Sequence, residues 1–513
     1  MPPPTEDVNR VHSTSEKAAD DTIDRVVDTE ADRDVARYTA GVEHIIIGEE
    51  LNKQLFWKVN KRVLVIMLGT YFCQSLDKGT LGFSSIMNIQ EDANLVGQQF
   101  SWLGTILYMG VLVGEYPTNF LLQKLPIAKY LSVNVFCWGA VVACSAAAQN
   151  FGSLMAVRFL LGFFESCVQP AFIILTAMWY TRQEQQILTS LWYCMFGVQL
   201  MVGGLIAFGV SHFNDGPIRS WQLLFLVLGL LTCVWACFIG YYLPDSPMKA
   251  KCFDEDTKKL LIERVRANET GIQNKKYKKY QIVEALTDPM VWCYVLLQTS
   301  STLIIGGLGV FSNLIIKAFG FTYLQTQLLN IAQGAITIAI MIGSATLATK
   351  YQQTCAVMLL WTVPAIVGTV VIMQITPNAS NKVGLLIAFY CTQFFLAQGN
   401  MIFSLISRNI AGQTKKSVTL TITFVAWAAG NMTAPQIFQA SDKPRYRHGF
   451  IAHLILYIFF ISMVCISRFI LTRRNAAKRS DAGVTDVAQE KIEHAHAFED
   501  LTDQENPDFR YAF

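Results

Sequence analysis

Twelve apolar runs constrain this chain more than any other feature, because each is about 20 residues long and so matches a ~30 Å hydrocarbon core at 1.5 Å per helical residue. Six fall near 62–84, 100–122, 128–149, 154–179, 188–212 and 220–243. Beyond a polar stretch, six more fall near 290–316, 326–348, 355–375, 383–406, 417–439 and 449–471. The charged fraction, 15% of 513 residues, is well below the ~25% of ordinary soluble chains, which points to lipid as the solvent. Six plus six is the layout of a transporter made of two repeated halves. The expected fold is therefore an all-α membrane protein with twelve transmembrane helices in two six-helix bundles, 56–243 and 289–474, joined by a linker over 244–288.

Orientation follows from Lys and Arg near the span ends. Lys53, Lys58, Lys61 and Arg62 precede the first span, Lys124 and Lys129 follow the second, and Arg473, Arg474, Lys478 and Arg479 follow the last. The linker is the most basic connection, with Lys249, Lys251, Lys258, Lys259, Arg264, Arg266 and Lys275 to Lys279 contributing. An even number of spans places all of these on one side, so both termini and the linker are expected in the cytoplasm. The opposite loops are poor in positive charge apart from Lys443, Arg445 and Arg447. They include the sequon Asn378-Ala-Ser380, a glycosylation acceptor on the outer face. A second sequon, Asn268-Glu-Thr270, falls in the linker and is expected to stay bare.

Residues 1–55 and 475–513 hold few large apolar residues and many charges, so both are expected to be disordered cytoplasmic tails. Within the linker, acidic residues open and basic residues close Asp254–Arg266, the pattern of a short amphipathic helix, either a solvated connector or a contact for anionic lipid. No secretory signal precedes the first span, which is expected to direct insertion itself. The net charge of +3 and the lack of a basic stripe in a folded region exclude nucleic acid as a partner. The 12 cysteines are scattered singly through apolar segments, without the spacing of a metal site. No nucleophile and base arrangement suggests an enzyme, and neither a cofactor nor a metal is implied.

Charges inside the spans need a reason, since each costs at least ~2.5 to 3.5 kcal/mol on insertion scales and normally faces a polar cavity and a partner. Asp77 and Lys78 are adjacent in the first span, about 100° apart around the helix, so they cannot neutralise each other and each requires another partner. Arg158 and Glu165 lie seven residues apart in the fourth, on one face but ~10 Å apart along the axis. That spacing leaves the Arg158 guanidinium for a planar acceptor such as a carboxylate. Glu165 is a candidate proton carrier. Pro170 frees the carbonyl of Ser166 and is expected to kink the helix beside it. The alternative is a fixed intramembrane network of the four residues, whose charges sum to zero.

An inside-negative potential opposes entry of a monovalent anion by ~2.3 kcal/mol per 100 mV, and a co-transported proton cancels that term. Two acids, Asp77 and Glu165, suit such an importer. Gly110 and Gly114 have helix-contact spacing, and Glu115 follows them near the span's end, so this stretch is either a gate or a plain helix crossing. Gly306-Gly307-Leu-Gly309 would allow the seventh span to bend. Lys317 and Arg408 near span ends are expected to snorkel.

Five stretches carry a resemblance in order along the chain: GEYPTNFLLQKLP (114–126), RFLLGFFESCVQPAF (158–172) with MWYTRQEQ (178–185), FGFTYLQTQLLNIAQGA (319–335), SRNIAGQTKKS (407–417) and GNMTAPQIFQASDKPRY (430–446). In these the chain resembles the major facilitator superfamily, and more narrowly the anion:cation symporter family in its fungal allantoate permease branch. The resemblance implies alternating access between two bundles and import of an organic anion with protons. It implies that Lys78 and Arg158 hold the anion and that Asp77 and Glu165 handle protons; Glu115 and Pro170 are gating candidates by their own placement. Lys78 stands where relatives commonly have Arg, which replaces a planar fork with a single ammonium. The expected protein is a monomer in the plasma membrane or the vacuolar membrane. Its substrate would be allantoate, another ureido acid, a vitamin-like acid or another carboxylate. Export of a fungal metabolite by the same fold is the main alternative, and a receptor that does not transport is a minor one.

Overall fold

The computed structural model describes residues 47–122, 124–213, 218–266, 278–481, 501–507 and 509–513. The first half runs α1 (Glu49–Val59), α2 (Val65–Ser84), α3 (Gln99–Leu122), α4 (Ile127–Cys144), α5 (Phe151–Glu165), α6 (Val168–Trp179), α7 (Arg182–Val210) and α8 (Ser220–Tyr242). Two linker helices follow, α9 (Glu255–Arg266) and α10 (Lys279–Thr287). The second half comprises α11 (Pro289–Ala318), α12 (Tyr323–Tyr351), α13 (Thr354–Gln374), α14 (Lys382–Thr392), α15 (Gln398–Asn409), α16 (Gln413–Ile437) and α17 (Arg447–Asp481). Among the described residues 9 helical stretches are long and apolar enough to cross a membrane by composition alone, with α5–α6 and α14–α15 each counted as one. The three remaining long helices, α2, α3 and α16, complete the expected twelve. They are more polar because they carry Asp77, Lys78, Glu115 and a run of Thr, Lys and Asn residues.

Local sequence explains the boundaries. Asn150 and Ser153 form a reciprocal capping box at the start of α5, and Thr322 with Gln325 does the same for α12. Asp288 caps α11, accepting from the N–H of Met290 at 2.8 Å, and Pro289 takes the first helical position, where no N–H is needed. The fourth span breaks between Glu165 and Val168, where the missing N–H of Pro170 leaves the Ser166 carbonyl unpaired in the helix ladder.

One end of the bundle carries the linker and the residues after α17, and we call it the linker end. The opposite end carries the loops 85–98, 145–150, 375–381 and 438–446. Glycines set the closest helix crossings. A Cβ on Gly162 of α5 would lie 1.9 Å from the carbonyl oxygen of Leu107, and one on Gly110 of α3 would lie 2.2 Å from that of Phe159. The Gly110/Gly114 stretch is therefore a helix crossing. The Gly306–Gly309 stretch does not bend α11, which runs unbroken from Pro289 to Ala318. A Cβ at Gly306 or Gly307 would instead meet Asn431 or Phe438.

Three expectations about the ends and the linker are corrected. The first helix begins at Glu49, inside the segment 1–55 read as a tail, while residues 1–46 lie outside the described residues. The linker helix α9 is neither a free connector nor a lipid contact through Arg264. That side chain is buried, bonded to Glu184 of α7 and at 2.6 Å to the Asn52 side chain of α1. Asn268 lies outside the described residues. The segment 475–513 is helical through Asp481, and residues 501–507 and 509–513 pack onto the linker end of the second half, with Thr502, Asp503 and Tyr511 buried. Aromatic side chains Phe509, Tyr511 and Phe513 and an acid matched to buried cations supply the contacts that a composition-based reading of disorder missed.

Candidate transport site

A cavity of about 280 Å³ lies between the halves, lined by α2, α3, the α5–α6 break and α7 from the first and by α11, α12, α15 and α16 from the second. That volume fits a small molecule. Hydrogen bonds between the halves seal it toward the far end. Thr105 of α3 donates to the Met432 carbonyl at 2.7 Å and accepts from Gln436 at 3.0 Å. Lys443 reaches Gln90 at 2.8 Å, and Asn313 of α11 donates to the Gly82 carbonyl at 2.8 Å. Glu115, near the linker end of α3, lines the cavity, as do Phe403 and Phe424, which places its mouth on the linker side.

The charged residues on the cavity wall, Lys78, Glu115 and Glu165, all come from the first half. Lys78 Nζ and Glu165 Oε2 are 3.6 Å apart, with Glu165 fully buried and the lysine side chain 27% exposed. The ion-pair partner of Glu165 is Lys78 of the first span, not Arg158 of its own helix. Glu165 sits at the end of α5, where the helix breaks, so its side chain leaves the helix beside the cavity. The second half contributes uncharged groups, including Gln298, Ser301, Asn313, Asn330, Gln333 and Asn400. The side-chain oxygens of Gln298, Ser301 and Gln333 are buried without a hydrogen-bond partner.

Arg158 and Asp77 are not on the cavity wall. Asp77 is fully buried on the other side of α2, where it accepts from the indole N–H of Trp138 at 2.6 Å and from the hydroxyl of Thr232 at 2.9 Å. The ~100° between adjacent helix positions explains how Lys78 faces the cavity while Asp77 faces α4 and α8. Arg158 donates to the Thr80 hydroxyl at 3.2 Å and lies 5.5 Å over the ring of Phe225. Seven residues separate it from Glu165 toward the sealed end, at the level of Thr80, whose neighbours Gly79 and Leu81 line the cavity, so it sits beside the cavity and behind α2. Direct contact of Arg158 or Asp77 with a cavity ligand is thus absent in this conformation. Pro170 is buried in α6 without lining the cavity, and Glu115 accepts from Asn119 at 3.2 Å. Asn378 is exposed in the loop before α14, at the far end. Among the described residues no group of His, Cys, Asp and Glu could hold a metal ion.

The model of the Major Facilitator Superfamily matches residues 67–435. The chain belongs to this superfamily. Among curated relatives it is 33% identical to the thiamine pathway transporter THI73 of Saccharomyces cerevisiae, over 93% of this chain and 91% of that one. It is 30% identical to the allantoate permease of the same yeast, over 91% and 88%, and 28% identical to the MFS-type transporter cnsL of Penicillium expansum, over 90% and 88%. Two solved structures share the superfamily fold. One is a bacterial homologue of the human lysosomal transporter Spinster, inward-facing and unoccupied, with a TM-score of 0.61 and 13% identity over 80% of this chain and 96% of that one. The other is the xylose transporter XylE from E. coli, partially occluded and inward open, with a TM-score of 0.61 and 11% identity over 78% and 97%.

Proposed function

We propose that this transporter imports a small organic anion together with protons, by alternating access. The observation that carries the reading is the Lys78–Glu165 pair on the cavity wall. At 3.6 Å the pair exceeds the ~2.7–2.9 Å of a charge-assisted hydrogen bond, so the ammonium is only loosely held. A substrate carboxylate arriving at Lys78 competes with Glu165, and a Glu165 deprived of its cation is best stabilised by taking a proton. Anion and proton binding are then linked through one lysine, and the proton offsets the ~2.3 kcal/mol per 100 mV that opposes an anion.

The remaining site residues fit around this exchange. Arg158, now held on Thr80 behind the cavity wall, holds the anion when the halves rock to open the far end. Asp77 is a second proton-handling acid, held by Trp138 and Thr232. Glu115 gates the mouth, and the break before Pro170 lets α5 and α6 move separately. The neutral amides and hydroxyls of the second half bind the uncharged part of the substrate. The named relatives make ureido acids and vitamin-like acids the first candidates. The linker end is cytoplasmic by its Lys and Arg excess, Asn378 is glycosylated outside, and the protein works as a monomer in the plasma membrane.

Uptake profiling of carboxylates, ureides and vitamins in a deletion strain, followed by proteoliposome assays, tests the reading. Uptake is expected to rise with an inward proton gradient, and Glu165→Gln is expected to abolish that dependence. Gradient-independent uptake removes the coupling. Metabolite accumulation in cells lacking the protein, with nutrient uptake intact, replaces import with export.

A further inference from the structure

Residues 501–507 and 509–513 lie against five helices of the second half, and Glu505 accepts from Tyr280 of α10 at 3.4 Å. Asp503 sits 2.7 Å from Lys415 at the start of α16 and 3.7 Å from Arg474 of α17. Gln504 donates to Asp288, the cap of α11, at 2.9 Å. Two carboxamides grip the backbone of the segment in the two-bond manner of a strand neighbour. Asn475 donates to the Tyr511 carbonyl and accepts from its N–H, both at 2.9 Å. Asn409 of α15 donates to the Ala512 carbonyl at 2.9 Å and accepts from its N–H at 2.7 Å. The N–H of Thr354, the first residue of α13, donates to the Phe513 carbonyl at 2.5 Å.

Two of the cations under the segment keep carboxylate partners without it. Lys415 keeps Asp288 and Glu284, each at 2.9 Å, and Arg474 keeps Asp288 at 2.5 Å. Removing residues 501–513 therefore strands neither Lys415 nor Arg474. It leaves a basic pocket in which the Asn475 carboxamide and a helix N–H lose their partners, Asn409 keeps only its bond to the Tyr294 hydroxyl, and Lys478, which bonds to the carbonyls of Asp503 and Asn506, loses both. Backbone grips supply affinity for any extended peptide, while the Asp503 pocket and the buried Tyr511, whose hydroxyl donates to Asp503 at 2.8 Å, supply sequence selection.

From these contacts we infer that the linker end of the second half is a preformed peptide-binding site, and that residues 501–513 are its tethered, exchangeable ligand. The site takes a peptide with an acid near its start and a Tyr-Ala-Phe run at its finish, and while filled it clamps α11, α13, α15, α16 and α17 together. The inference does not depend on the transported substrate.

Fluorescence anisotropy with a labelled synthetic peptide of residues 501–513, added to purified chain lacking them, tests it. Saturable binding is expected, at least tenfold weaker for a peptide carrying Asp503→Asn and absent for a scrambled one. The intact chain, whose own segment competes, is expected to bind far less. Because the shortened chain can fail to fold, a second form carries a protease site within 482–500 and is cut after purification. Its segment is expected to exchange for the labelled peptide. Failure of the cut protein to exchange, or of a monodisperse shortened chain to bind, overturns the proposal, as does equal binding of the scrambled peptide.

Discussion

Gly162→Ala is the sharpest probe of how this fold holds its candidate site. The new methyl would stand 1.9 Å from the Leu107 carbonyl oxygen, and even the tightest tolerated contact is 3.0 Å, so α3 and α5 must separate by about 1.1 Å at that point. The obstacle is backbone on a packed helix and cannot rotate away. Overpacking of this kind costs ~1–3 kcal/mol and sometimes more. At roughly 2–4 °C per kcal/mol for a unit of about 200 residues, the detergent-solubilised protein should melt about 5 °C lower. Glu165 lies three residues further along α5, so the same retreat pulls it from Lys78 and should weaken proton-driven uptake as well. Gly384→Ala is the control. Nothing lies within 4 Å of its added Cβ, the site is exposed in α14, and the substitution should leave melting unchanged or raise it by the ~1 kcal/mol that Ala gains over Gly in a helix. Equal melting of Gly162→Ala and wild type in differential scanning fluorimetry would refute the reasoning, since the crossing would then have slack that the geometry denies.

Other consequences are equally direct. Trp138→Phe removes the indole donor from Asp77 and should cost ~1–3 kcal/mol in thermal stability; adding Asp77→Asn should recover part of it, because a neutral amide tolerates the loss better. Asp288 lies at the linker end, where burial raises its affinity for protons but bonds from Arg474 and the charge of Lys415 outweigh that and hold it at about 2. A depressed carboxyl contributes stability above its unfolded value near 3.8, and that contribution, about 2–3 kcal/mol, should fade as pH falls through 4 toward 2. Melting curves across that window should flatten in Asp288→Asn. Asn378→Gln should abolish any endoglycosidase-sensitive mobility shift, while Asn268→Gln should not alter it.

The spans were legible because lipid imposes a length on every apolar run, and runs such as 220–243 and 355–375 match their helices to within a residue or two. Site legibility was partial. Spacing correctly separated Asp77 from Lys78 around α2 and Arg158 from Glu165 along α5. It could not say which face of α2 meets the cavity, because that rotation is set by α4 and α8 through Trp138 and Thr232, distant in sequence. Nor could it reveal that Arg158 lies behind the cavity wall, since that placement is set by Thr80 and Phe225, distant in sequence. The docking of residues 501–513 was illegible for the same reason. Its partners, Asn409, Lys415 and Asn475, come from separate helices, and the only local hint was three aromatics at alternate positions in an acidic segment.

Two intramembrane or near-membrane lysines now mark the difference between a charge that builds the protein and one available for work. Lys415 has no exposed side-chain surface and three carboxylates within 2.9 Å. Its desolvation is offset on every side, and it does not line the cavity between the halves. Lys78 is 27% exposed on a cavity wall and meets one carboxylate at 3.6 Å, so it has unfilled capacity for an anion. Burial of a charge in a membrane protein thus does not by itself mark function; incomplete pairing together with access does. The distinction has separable outcomes. Lys415→Met leaves Asp288 and Asp503 short of a cation and should cost ~3–5 kcal/mol, reduced by what Arg474 still supplies, so it should lower melting temperature and membrane abundance. Lys78→Met leaves only Glu165, which a proton can neutralise, so folding should survive while anion uptake is lost. If both variants failed in folding alone, Lys78 would be structural and the proposed exchange at Glu165 would fall with it.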